Sequence, residues 1–351
     1  MSQIFFVGTY TQGDFGAYQA QGKGIYTCRL ESTSGEMDVL HCNEDIINPT
    51  YVTLNKAKTH LYAVQETGAA DTPSVHAFAI NDDHSLRRLN MQGMTGEGPC
   101  HLMLDAQEDY LAVANYGSGN IVLYPINEDG SLGEQSDSVQ HEGKGPNPNR
   151  QESPHAHAAV FGPDGTLFVA DLGLDEVKAY AVKDAKLEPL SSAKTPAGAG
   201  PRHLVFHPSE SHAFVLNELD STLSLFRHSR GRLELLNTLS TLPEGDQTES
   251  YCAAIRIHPS GKFVYASNRG HDSLAVFAFD ETEESLDLIQ LISTGGQYPR
   301  DFNLDPDSKL VVAANQQTNN LITYRLDAAT GKLGPTGQEL EIGTPVCVAM
   351  A

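Results

Sequence analysis

The chain has 351 residues, with 23 Lys and Arg against 45 Asp and Glu, for a formal net charge of −22. Such a field repels nucleic acid and anionic membranes, and it repels a phosphorylated ligand too unless a local arginine cluster reverses it. No apolar run approaches the about 18 residues of a membrane helix, and the opening "MSQIFFVGTY" lacks the basic start and long apolar stretch of a secretory signal, so a cytoplasmic protein is expected.

In chain order, an element of alternating β-branched and aromatic residues recurs: "GIYTCRL" at 24, "SVHAFAI" at 74, "NIVLYPI" at 120, "EVKAYAV" at 176, "TLSLFRH" at 222, "SLAVFAF" at 273 and "NLITYRL" at 320. Before each lies another strand, from "FFVGTY" at 5 and "LYAVQE" at 61 through "LAVANY" at 111, "LFVADL" at 167, "AFVLNE" at 213 and "VYASNR" at 264 to "VVAANQ" at 311. Tight turns precede the later copies, and their prolines Pro163, Pro208, Pro259 and Pro306 stand 45, 51 and 47 residues apart. With a variable fourth strand such as "RLELLNT", each unit reads as a four-stranded antiparallel meander, and a period near 50 residues points to a propeller. Helical spacing of apolar residues is nearly absent. The segment "PVCVAM" at 345 matches the first strand of a unit, while the N-terminus opens on a second strand. The expectation is one all-β domain over residues 1–351: a seven-bladed β-propeller with one blade closed by N- and C-terminal strands, which limits unpaired edges.

Five cysteines, Cys28, Cys42, Cys100, Cys252 and Cys347, are scattered and form no Cys-x-x-Cys pair, so they read as buried thiols of a reducing compartment. In a propeller the first strand of each blade lines the central channel. Six residues before each turn proline stand His157, Arg202, Ala253 and Arg300, three of them basic in an acidic chain. His155 lies two residues before His157, on the same strand face. Zinc would need a third ligand beyond this pair, and no matching His or Cys supplies one, so no metal and no cofactor is expected. Second strands end in Gln65, Asn115, Asp171, Asn217, Asn268 and Asn315, a column that suits strand-end bracing. The next position varies in chemistry: Glu66, Tyr116, Leu172, Glu218, Arg269 and Gln316. The apolar copies build the scaffold, and the unmatched polar residues build a site.

The stretches "FVGTYT" at 6, "SPHAHAAVFGPDG" at 153, "GPRHLVFHP" at 200, "VLNELDST" at 215, "ASNRGHDS" at 266 and "YPRDFNLDP" at 298 with "AANQQTNN" after it carry a resemblance across essentially the whole chain. It resembles the seven-bladed propeller lactonases, which include bacterial 6-phosphogluconolactonases and fungal carboxymuconate cycloisomerases. The resemblance implies a histidine, two arginines and a glutamate at the site, matched here by His157, Arg202, Glu218 and Arg269, with His155 a competing match for the histidine. His155, His203, Asn268 and Arg300 are expected to bind substrate.

Histidine suits a general base near neutral pH, and arginine forks suit an oxyanion or a phosphate. No Gly-x-Ser-x-Gly elbow supports a serine nucleophile. The expected function is hydrolysis of 6-phospho-D-glucono-1,5-lactone, with another sugar lactone, a carboxymuconate-type substrate or a non-catalytic binding module as alternatives. The expected partner is a small (phospho)sugar lactone, with no nucleic acid and no membrane, on a monomer or weak homo-oligomer.

Overall fold

In the computed structural model, residues 2–13 and 18–351 are described. Among them the chain forms seven four-stranded antiparallel sheets, each with its strands in simple up-and-down order. The fold is the expected all-β seven-bladed propeller. Six blades run 52–93, 99–140, 156–194, 201–240, 251–293 and 299–341. The seventh joins the C-terminal strand Pro345–Met350 to the N-terminal Ser2–Thr9, with Phe5 opposite Met350 and Val7 opposite Val348, as the terminal repeat fragments imply. The one helical element among the described residues is the short 3₁₀ turn Ala69–Asp71.

The chain divides into two compact units. The first takes residues through Thr50, Asp82–Ser85 and Leu239–Ala351, and the second takes Tyr51–Asn81 and Leu86–Thr238. Within the second unit, cores form between successive blades. Ala158, Phe168, Val177, Val215 and Phe226 pack as one cluster, and Ala114, Ile121, Ala156, Val169 and Tyr180 as another. Alternating strands bury one side chain in two on each face, so every blade needs a neighbour to cover it. In the first unit Phe5, Val7, Leu310, Val312, Leu321 and Val348 form the equivalent layer. Large phenols are buried without losing their hydrogen bonds: Tyr62 Oη donates to the Gly130 carbonyl and Tyr265 Oη to that of Gly331, both at 2.9 Å.

The turn chemistry read from "HPSE" and "HPSG" is present. His207 Nδ1 lies 2.7 Å from Ser209 Oγ and accepts from the Ser209 amide, and His258 repeats the arrangement with Ser260. No helix among the described residues is long and apolar enough to cross a membrane.

Candidate active site

One irregularity recurs at the same place in the first strand of successive blades. The register of Ala156–Phe161 against its neighbour passes from Ala156 opposite Asp171 to Ala158 opposite Ala170, leaving His157 as an extra residue. Arg202 is extra in the same way between Pro201 and His203, Arg300 between Pro299 and Asp301, and Cys100 between Pro99 and His101. These are β-bulges, which leave one residue outside the pairing and re-aim its side chain. Opposite the residue before the bulge sits the Asn/Asp column, at Asn115, Asp171, Asn217 and Asn315. In the blade that carries Arg202, Gly200 makes the entry possible. Its φ of +65° is left-handed, and a Cβ there would stand 2.6 Å from Leu219 Cγ.

In the second unit two of the bulged residues, Arg202 and His157, meet one carboxylate. Arg202 Nε donates to Glu218 Oε2 at 3.0 Å, and both side chains are almost fully buried. On the other oxygen, Arg150 Nη2 donates to Glu218 Oε1 at 2.6 Å and to Tyr116 Oη at 3.3 Å. His157 Nε2 lies 4.0 Å from Glu218 Oε2. Arg202 Nη1 is 3.1 Å from His203 Nε2, and because a guanidinium can only donate, that nitrogen of His203 is the acceptor.

A row of rings runs through the cluster. Tyr51 and His101 have centroids 4.3 Å apart, His101 and His203 5.4 Å, His203 and His157 5.5 Å, and His157 and Tyr116 5.4 Å. Cys100, from the neighbouring bulge, places its Sγ 3.7 Å from His157 Nδ1 and 3.3 Å from the His157 carbonyl oxygen. Burial raises the Tyr116 phenol above its ordinary pKa, against the opposing hydrogen bond and charge of Arg150. Partial burial works against the charged form of Arg150, but Glu218 and Tyr116 outweigh it and hold the guanidinium well above its usual value.

His155 is differently placed. Its Nδ1 is 2.9 Å from the Tyr116 carbonyl oxygen and its Nε2 is 3.3 Å from Glu152 Oε1, so both ring nitrogens face acceptors. Its ring stacks on Tyr116 with centroids 4.5 Å apart. The second unit therefore brings together His155, His157, Arg202, His203 and Glu218.

The remaining expected residues belong to the first unit. Arg269 is buried, donating to the carbonyls of Tyr251 at 3.3 Å and Cys252 at 3.0 Å, with its guanidinium over the Tyr298 ring. Arg300 lies over the Tyr10 ring and donates to its hydroxyl at 3.1 Å. Asn268 is fully buried, its Nδ2 donating to the Thr241 carbonyl and Ser273 Oγ and its Oδ1 accepting from Thr241 Oγ1 at 2.7 Å. Those contacts brace a strand end, and they engage the amide from both sides.

The family described as "Lactonase, 7-bladed beta-propeller" matches residues 4–350. The chain belongs to the seven-bladed β-propeller lactonases. It is 37% identical over 349 residues to the 6-phosphogluconolactonase of Bacillus subtilis, covering 98% of this chain and 97% of that one. Among solved structures, a Lactobacillus plantarum protein superposes with a TM-score of 0.92 at 36% identity, covering 100% of both chains. The Pseudomonas aeruginosa periplasmic gluconolactonase superposes with a TM-score of 0.94 at 29% identity, covering 100% of this chain and 99% of that one. The reaction class of this lactonase is lactone hydrolysis.

Three parts of the lactonase cluster were missed by the sequence reading. Cys100 and His101 stand where the turn proline is replaced by Ala106, so alignment on prolines passed over that blade. Tyr51 precedes a turn that likewise has no proline, "NKAKT". Arg150 sits in the connection before the strand Ala156–Phe161, outside every repeat, and the one available signal was a basic residue close to His155 in so acidic a chain. Among the described residues no group of three or more His, Cys, Asp or Glu is placed to hold a metal ion.

Proposed function

We propose that the protein hydrolyses 6-phospho-D-glucono-1,5-lactone to 6-phosphogluconate in the cytoplasm, as a step of the oxidative pentose phosphate route. The observation that carries this reading is the convergence of a buried histidine and two arginines on Glu218, in a chain whose Bacillus relative bears that activity's name. His157 takes a proton from water, and the hydroxide attacks the lactone carbonyl carbon. Arg202 stabilises the oxyanion of the tetrahedral intermediate, the ring C–O bond breaks, and the proton held by His157 passes to the departing ring oxygen. Glu218 is engaged by a guanidinium on each oxygen, so its part is to hold the arginines and to steady the imidazolium that forms at His157. His155, with both nitrogens facing acceptors, is suited to donate hydrogen bonds, which favours His157 over it as the base. His203, beside Arg202, is proposed as a further support in this cluster.

The gluconolactonase of P. aeruginosa supports a second reading, in which the substrate is the unphosphorylated sugar lactone. The deciding experiment follows freshly generated 6-phosphogluconolactone with and without the protein, corrected for spontaneous hydrolysis. Acceleration at low protein concentration is the expected result, and a rate equal to the spontaneous one would end the proposal.

A further inference from the structure

We propose that Arg150 is the anion seat of the site and sets the preference of the enzyme for a phosphorylated lactone; the inference rests on the lactonase reading above. Of the two guanidinia on Glu218, Arg202 is 3% exposed and already spends Nε and Nη1 on Glu218 and His203. Arg150 is 35% exposed and uses Nη2 for both Glu218 and Tyr116. No hydrogen bond joins its Nε or Nη1 to any described residue, so donors of this partly exposed guanidinium are unspent. Two guanidinia on one carboxylate also give this trio a net positive charge, the local reversal of field that a phosphorylated ligand requires on a chain of net charge −22.

Arg150 is held in place before any ligand arrives. The connection that carries it is tied at one end by His141 Nδ1, 2.6 Å from Asp171 Oδ2. At the other end it is tied by the fully buried Gln151, whose Nε2 donates to the Leu172 carbonyl at 2.9 Å and to Asp175 Oδ1 at 2.7 Å. A fixed donor loses little freedom on binding, which favours recognition of an anion. Arg150 approaches Glu218 on Oε1 and His157 approaches on Oε2. The proposed base and the seat thus flank one carboxylate.

The test compares Arg150→Ala and Arg150→Lys with wild type on 6-phosphogluconolactone and on glucono-1,5-lactone. Arg150→Ala should lower the ratio of kcat/KM for the phosphorylated over the neutral lactone by about tenfold or more, mainly through KM, and Arg150→Lys should recover a good part of that ratio because a phosphate accepts a point charge. A role confined to holding Glu218 would instead lower kcat on both lactones alike with no recovery in Arg150→Lys, and that result would overturn the seat. A wild type that turned over neither lactone would overturn the lactonase reading and move the test of the seat to calorimetry with 6-phosphogluconate and gluconate. There, tighter wild-type binding of the phosphorylated acid that is lost in Arg150→Ala supports the seat, and equal wild-type affinities overturn it.

Discussion

Two histidine–carboxylate pairs lie in the same unit and behave in opposite ways. His141 Nδ1 is 2.6 Å from Asp171 Oδ2, with the side chains 1% and 0% exposed. Every other valence is spent: His141 Nε2 is 3.0 Å from Tyr180 Oη, and Asp171 Oδ1 accepts from the amides of His155 and Gly173. His157 and Glu218 stand 4.0 Å apart, and the carboxylate is shared among guanidinia. By distance alone the first pair looks like a catalytic dyad. Saturation tells the two apart: the fully bonded, buried His141–Asp171 network fixes structure, whereas the proposed base His157 stands beside a carboxylate that guanidinia already hold.

Variants can break this contrast. Asp171→Ala should have the largest effect, a loss of about 3 to 5 kcal/mol in urea unfolding, because it strands His141 and two backbone amides in the interior. Retention of wild-type stability would remove the structural role assigned to the pair. His157→Gln should lower kcat by about 100-fold or more while leaving the unfolding midpoint nearly unchanged. If His155→Gln abolished turnover and His157→Gln did not, the base would be His155. Arg202→Lys keeps the charge and loses the fork, so kcat/KM should fall about tenfold, or about 1.4 kcal/mol of transition-state stabilisation.

A third histidine sharpens the comparison through pH. His76 is buried, its Nε2 3.0 Å from Ser74 Oγ, and burial together with the charge of Arg88 pushes its pKa down to about 3 from an ordinary 6.5. The folded protein keeps this ring neutral while the unfolded chain protonates it. Its contribution to stability is therefore present above pH 6.5 and is lost progressively as the pH falls from there toward 3. Between pH 7 and pH 5 the stability of His76→Gln should decline less than that of wild type, by about 1 to 2 kcal/mol, in paired denaturant titrations. Equal declines would show that other groups carry the acid sensitivity.

The propeller was legible because each blade repeats its alternation and its turn residues, and because the segment at 345 so plainly lacked its partners. The repeat position holding His157, Arg202 and Arg300 was visible from the prolines. What made it special, the bulge, was not, since one extra residue within a strand leaves no compositional mark. Glu218 was assigned through the family resemblance, since its own column varies in chemistry from blade to blade and holds a second glutamate, Glu66. Its partner Arg202 stands at the repeat position visible from the prolines, but Arg150 could not be found this way, because it lies in a connection with no repeat to be compared against.

The bulge also separates two kinds of constraint by a single residue. Ala156 and Ala158 are paired in register and fully buried, so their identities answer to the sheet and the core. His157 between them is exempt from the ladder, as are Cys100, Arg202 and Arg300 in their own blades. A thiol, an imidazole and two guanidinia thus occupy one repeated socket while the flanking pairing stays the same. Chemistry in this architecture can drift one socket at a time, with inheritance of the fold left to the neighbours on either side.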